Sequence, residues 1–85
     1  MNITNKVIEV VREISSNIEE SDEELIKADY LERGLIDSFQ IVEMISKLEE
    51  AFNITFSPED FESDKFRTLR GVVELIENHR SGIIL

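Results

Sequence analysis

Apolar residues recur along this chain at three- and four-residue steps, interrupted by short polar stretches, and that rhythm predicts helices almost throughout. Ile3, Val7, Val10, Ile14 and Ile18 outline one face of a first amphipathic helix, which Asn2 or Thr4 can cap. Ser15-Ser16-Asn17 weakens its far end, and Glu19 to Glu24 opens a long acidic connection. Within that connection, Ser21-Asp22-Glu23-Glu24 ahead of Leu25-Ile26 can nucleate a single turn. Leu31, Leu35 and Ile36 are its expected anchors against the remainder of the fold. A second helix is predicted from Ser38 to about Phe52. Its core stripe is Ile41, Ile45, Leu48 and Phe52, which leaves Phe39, Val42, Met44 and Ser46 on the flanks or the outer side. Ser57-Pro58-Glu59-Asp60 combines an N-cap, a proline at the first helical position and an acid at the third. It predicts a short third helix ending near Glu62 or Ser63. Thr68 then caps a last helix with Leu69, Val72, Val73 and Ile76 inward, stopping near Ser81-Gly82.

No strand signal, repeat or linker divides the chain, so residues 1–85 read as one domain. The expected fold is all-α, a small four-helix bundle of three main helices plus one short helix. A chain this small buries only about 60–65 % of its unfolded surface, leaving room for one core and no deep, enclosed active site. Phe52, Phe56, Phe61 and Phe66 are expected in that core. Gly34 is explained by a turn. Gly71, inside the last helix, costs roughly 1 kcal/mol relative to alanine, and close packing against a neighbour would account for it.

Composition narrows the partners. Nineteen acidic against nine basic residues give a net charge of −10, which repels a nucleic-acid backbone and suits basic patches on proteins, or simply solubility. Repulsion among those carboxylates predicts that salt, divalent cations or mild acid raise the melting temperature. There is no cysteine, so disulfides and thiolate chemistry are excluded, and any thiol must come from an attached group. His79 is the only histidine and completes no metal site; a place on the last helical turn, where a cation is favourable, suits it better. Glu19, Glu20, Asp22, Glu23 and Glu24 lack the glycine and alternating spacing of a calcium loop, so no metal is expected. The N-terminus lacks the apolar run of a signal peptide, and no stretch approaches a membrane span. A cytoplasmic monomer is expected. Gly82-Ile83-Ile84-Leu85 reads as a frayed end or a strip lying on the core.

The candidate chemistry sits in Gly34-Leu35-Ile36-Asp37-Ser38-Phe39. Asp37 followed three residues later by Gln40 reads as an N-cap with its reciprocal partner. Ser38 then falls on the first helical position, with a hydroxyl that capping does not consume. Unpaired N–H groups and a partial positive charge at the helix start would favour a phosphate diester there. Ser38 has no evident histidine base, so a nucleophilic triad cannot be assembled and the chain is not expected to be an enzyme.

Leu31-Glu32-Arg33-Gly34-Leu35-Ile36-Asp37-Ser38-Phe39, with Val42-Glu43-Met44-Ile45 and Leu48-Glu49-Glu50-Ala51-Phe52, resembles the acyl and peptidyl carrier proteins. Phe66-Arg67-Thr68-Leu69 and Val72-Val73-Glu74-Leu75-Ile76 look like the start of that family's last helix. The resemblance implies the same helical fold and a 4′-phosphopantetheine, derived from coenzyme A, esterified to Ser38 beside Asp37. It implies a carrier that tethers acyl or aminoacyl groups as thioesters. The partners would be a phosphopantetheinyl transferase and the enzymes that load and unload the arm. Phe39, Val42, Glu43 and Met44 are the expected recognition residues.

Gln40 stands where many fatty-acyl carriers have an acid, Ser46 and Lys47 where residues are commonly apolar or small. Phe39 replaces the usual leucine and is similar to D-alanyl and other aminoacyl carriers. Bulky Ile41 and Ile45 would restrict an inner pocket and disfavour long lipid cargo. A free-standing carrier is the simpler expectation. The alternative is an unmodified acidic helical interaction module that kept the fold.

Overall fold

The computed structural model describes residues 2–81. Five α-helices follow one another: α1 (Ile3–Ile14), α2 (Asp22–Lys27), α3 (Ser38–Phe52), α4 (Pro58–Glu62) and α5 (Leu69–Ser81), with a 3₁₀ turn at Asp64–Arg67 ahead of the last. The three main helices and the short α4 are those expected. The fifth, α2, grows from what read as a single turn, because Ser21 and Glu24 close a capping box around it. Asn2 caps α1, accepting from the Asn5 N–H at 2.9 Å. The helix stops at Ile14, so Ile18 packs on the core from the loop rather than from the helix.

α1 lies between α3 and α5, and α2 packs on both α1 and α5. The core between them holds Val7 and Val11 of α1, Leu25 of α2, Met44 and Leu48 of α3, and Leu69, Val72 and Ile76 of α5, all essentially without solvent contact. Each such side chain contributes about 1.5–3 kcal/mol on burial, so these faces carry most of the stability. Thr68 caps α5 as expected, its hydroxyl accepting from the Gly71 N–H at 3.0 Å. The expected helix end at Gly82, and the apolar strip after it, lie outside the described residues.

Gly71 is explained by close approach: a Cβ there would lie 1.8 Å from the Lys65 carbonyl oxygen, so only glycine lets α5 rest against the 3₁₀ turn. Next in sequence to Lys65, Phe66 meets Phe56 and Phe61 edge to face, with centroids 6.1 and 5.2 Å away, while Phe56 and Phe61 lie tilted at 6.1 Å. Phe52, Phe56 and Phe66 are buried as expected, whereas Phe61 stays 43 % exposed on the rim.

Tyr30, rather than Leu31, anchors the long connection. It is buried, its hydroxyl donates to the Phe66 carbonyl, and its N–H donates to the Arg67 carbonyl at 3.2 Å. Burial pushes its phenol well above the ordinary value, and the neighbouring Asp29 charge adds to that. Asp29 accepts from the Glu32 N–H at 2.9 Å and pairs with Arg67 at 3.0 Å. The Glu32 amide and the Arg67 guanidinium outweigh desolvation and hold its carboxyl below the usual range. Of the three expected anchors, Ile36 is buried and Leu35 partly so, but Leu31 is 42 % exposed.

Candidate functional site

The start of α3 is built by two reciprocal hydrogen bonds. Asp37 is the N-cap: its Oδ1 accepts from the Gln40 N–H at 2.8 Å, and Gln40 Oε1 accepts from the Asp37 N–H at 3.0 Å. Ser38 is the first helical residue and is exposed. Among the described residues its hydroxyl has no hydrogen-bond partner, and neither do the N–H groups of Ser38 and Phe39. The site therefore offers an unencumbered nucleophilic oxygen beside two free amide donors at the positive end of a fifteen-residue helix dipole. Gly34, at φ +66°, makes the turn that brings the chain to this point.

Polar ties hold the site to the bundle. Gln40 Nε2 donates to the carbonyl of Ile14, the last residue of α1, at 3.0 Å. Arg12 reaches from α1 to the Glu20 carbonyl at 2.9 Å and to the Asp22 carboxylate at 2.8 Å. Arg33 pairs with Glu20 at 2.8 Å. The connection leading into Ser38 is thus stitched at both of its ends.

Next to Ser38, α3 presents Phe39 and Val42, 74 % and 65 % exposed, one turn apart on the same side. Glu43 and Ser46 are exposed beside them. Met44 is not part of this face. It is fully buried, on the line Met44, Leu48, Phe52 that points into the core, while Ile41 and Ile45 lie only partly buried beside that line. The helix is rotated from the expected stripe, so Met44 packs the interior and offers no contact to a partner. Leu31, 42 % exposed in the loop ahead, adds an apolar residue to the accessible surface that the pattern had assigned to the interior.

Comparison with known proteins bears on what this geometry is for. The sequence profile of the family described as "Phosphopantetheine attachment site" matches residues 6–76. The chain belongs to the phosphopantetheine attachment family. Its relatives include the D-alanyl carrier protein of Leuconostoc citreum, 33 % identical over 70 residues that cover 82 % of this chain and 90 % of the relative. The protein of the same name from Leuconostoc mesenteroides is 31 % identical over 78 residues, covering 92 % and 96 %. That from Streptococcus suis is 31 % identical over 80 residues, covering 89 % and 98 %. No solved structure matches the chain at a significant level.

Membership in the phosphopantetheine attachment family brings a covalently attached 4′-phosphopantetheine, and the residues at the start of α3 fit such a group. The exposed hydroxyl is free, two N–H donors are unpaired, and no carboxylate other than the capping Asp37 stands in the first turn. In the absence of cysteine, the arm supplies the thiol that forms the thioester. The capping pair and the position of Ser38 were legible in Asp37-x-x-Gln40. The Gln40–Ile14 and Arg33–Glu20 ties were not, because they join residues 26 and 13 positions apart.

Proposed function

We propose that Ser38 is the attachment site of the arm and that this protein carries aminoacyl groups on it, D-alanyl being the first candidate. The observation that supports the site is the exposed, unbonded Ser38 hydroxyl at the first position of α3, within a chain of the phosphopantetheine attachment family. Attachment forms a bond from Ser38 Oγ to the phosphorus nearer the pantetheine of coenzyme A. The bond from that phosphorus to adenosine 3′,5′-diphosphate breaks, and the hydroxyl proton leaves to a base on the transferase. The carrier supplies no catalytic group of its own.

Two observations favour a small cargo. The relatives at 31–33 % identity are named D-alanyl carrier proteins. In addition, the inner side of α3 is closed: Met44 and Leu48 belong with Val7 and Val72 to one core, and all four are at 0 % exposure. Phe39, Val42 and Glu43 form the face that a transferase and the loading and unloading enzymes would meet, mixing apolar contact with one carboxylate. We assign the protein to the cytoplasm, as a monomer.

The test is intact-mass spectrometry after incubation with coenzyme A, magnesium and a broad-specificity phosphopantetheinyl transferase. One added arm is expected on the wild type and none on Ser38→Ala, whose fold should change by less than about 0.5 kcal/mol because the side chain is exposed. Loading by an ATP-dependent ligase that activates D-alanine should then add one hydroxylamine-labile alanyl group. Absence of any mass gain with several transferases sinks the reading. Modification that persists in Ser38→Ala moves the site to another residue.

A further inference from the structure

The Ser38 side chain makes no bond that fixes it, so whatever orients this nucleophile must act through the backbone of its turn. Among the described residues, Gln40 is the one side chain of that turn that hydrogen-bonds to another helix. Its Oε1 accepts from the Asp37 N–H at 3.0 Å while its Nε2 donates to the Ile14 carbonyl at 3.0 Å. The Ile14 carbonyl belongs to the last turn of α1, where carbonyls have no partner within the helix. A primary amide of this length does both jobs at once. A carboxylate could accept from Asp37 but would set oxygen against the Ile14 oxygen, and a lysine could donate but not accept. Asparagine is one methylene shorter.

We propose that Gln40 is a positioning residue for phosphopantetheine transfer, a reading that rests on Ser38 as the attachment site. Its amide pins the first turn of α3, and Ser38 with it, to α1. α1 in turn is fixed in the core by Val7, Ile8, Val10 and Val11. The exposed oxygen thereby takes its register from a helix anchored in the core. In-line attack on phosphorus requires the entering oxygen in a narrow range of position, and small displacements of a nucleophile are costly in rate. When the Ile14 tie is cut, the capping box still starts the helix, but its first turn is free to swing against the end of α1.

The experiment uses the full chain and three variants, each assayed at a temperature where circular dichroism shows it fully folded. Gln40→Glu keeps the acceptor for the Asp37 N–H and loses the donor to Ile14. Gln40→Met, similar in length and uncharged, loses both. Asn2→Ala removes the cap at the other end of α1, about 18 Å from Ile14 along the helix axis, and serves as a control for general loss of stability. The readouts are kcat/KM for arm transfer, followed by intact mass, and amide hydrogen exchange at Gln40 and Ile41, whose N–H groups are both bonded to Asp37.

Gln40→Glu should lower kcat/KM about three- to tenfold and speed exchange at those two amides, and Gln40→Met should lose at least as much. Asn2→Ala should stay within about twofold of wild type. The Gln40→Glu loss should persist in 1 M salt, where screening shortens charge effects to about 3 Å, which separates the lost tie from the added charge. Gln40 variants that match the wild type, or an Asn2→Ala loss as large as theirs, overturn the proposal while leaving Ser38 as the site. A wild type that gains no arm overturns the site assignment itself and the proposal with it.

Discussion

Phe66 and Phe39 are the same residue used in opposite ways, and the regions around them differ as they do. Phe66 is 6 % exposed, ringed by Tyr30, Phe56 and Phe61, in the region where α4, the 3₁₀ turn and α5 converge. Phe39 is 74 % exposed, and among the described residues it meets no other ring. The first region is held by interlocking aromatic faces and a glycine contact that admits no side chain. The second is held by polar bridges from Gln40, Arg12 and Arg33, and keeps its large apolar groups in water. Burial in the first region offsets what the second forgoes by leaving Phe39 and Val42 in water beside the Ser38 hydroxyl.

The largest effect expected is in the aromatic region. Phe66→Ala should cost about 3–5 kcal/mol, because it removes a ring contacted by three others and leaves a cavity the backbone cannot close. In a domain this size that is much of the total stability, and chemical denaturation should show the loss directly. A cost below about 1 kcal/mol would mean that the aromatic cluster is not what fixes this region.

A smaller effect is expected at the clasp between α4 and α5. His79 sits on α5 as expected, but its partner is a side chain rather than the helix end: Nε2 lies 2.7 Å from Asp60 Oδ2, and the ring rests edge-on against Phe56. Asp60 also closes the capping box of α4 with Ser57. Burial acts to raise the Asp60 carboxyl, yet the His79 hydrogen bond, the Ser57 amide and the charge of a protonated His79 outweigh it and hold it below the ordinary value. A carboxyl whose folded pKa is depressed stabilises fully above its unfolded pKa, near 4, and loses that contribution as pH falls through the folded value. His79→Ala should thus cost about 1–2 kcal/mol near neutral pH and flatten the loss of stability below about pH 4. An unchanged acid limb in that variant would show that other groups set it. Asp29, also held low, works in the same direction, so at these two positions acid weakens the fold, opposite to what net charge alone predicts.

The smallest change in stability, with the clearest change in recognition, is expected at the exposed face. Phe39→Ser combined with Val42→Thr should leave the melting transition within about 0.5 kcal/mol of wild type, since neither side chain is buried. Arm transfer should nevertheless slow by about tenfold if partners anchor on these side chains. Equal rates for the double variant and the wild type would assign recognition to another surface.

The helices were legible because their signals are local. Asp37-x-x-Gln40, Ser57-Pro58-x-Asp60 and Thr68 are caps whose partners lie three residues away, and all three appear as read. Gly71 was legible as a demand for close approach, though not its partner at Lys65. The misplacement of Met44 has a physical cause. α3 carries apolar residues at 41, 42, 44, 45 and 48, a band wider than its core can cover, so rotation about its axis is decided by what its neighbours present. Tyr30 was missed for a related reason. Its worth lies in a carbonyl 36 residues away, which no local pattern encodes. The same distance effect hid the Gln40–Ile14 tie, which turned a departure from the acidic residue of many fatty-acyl carriers into a structural link.

Gly34 carries a consequence of handedness. Its φ of +66° lies in the left-handed region, yet a Cβ built there would meet nothing within 4 Å. The constraint at this position is one of chirality alone, not of room. An L-alanine is opposed by its own backbone, whereas its mirror image would adopt the observed torsion without strain and would restrict the unfolded chain as well. The loop that delivers Ser38 thus contains a point that favours the one achiral residue, and where a D-residue would be less strained than most L-residues, Asn53 at φ +55° showing which L-residue tolerates such a torsion best.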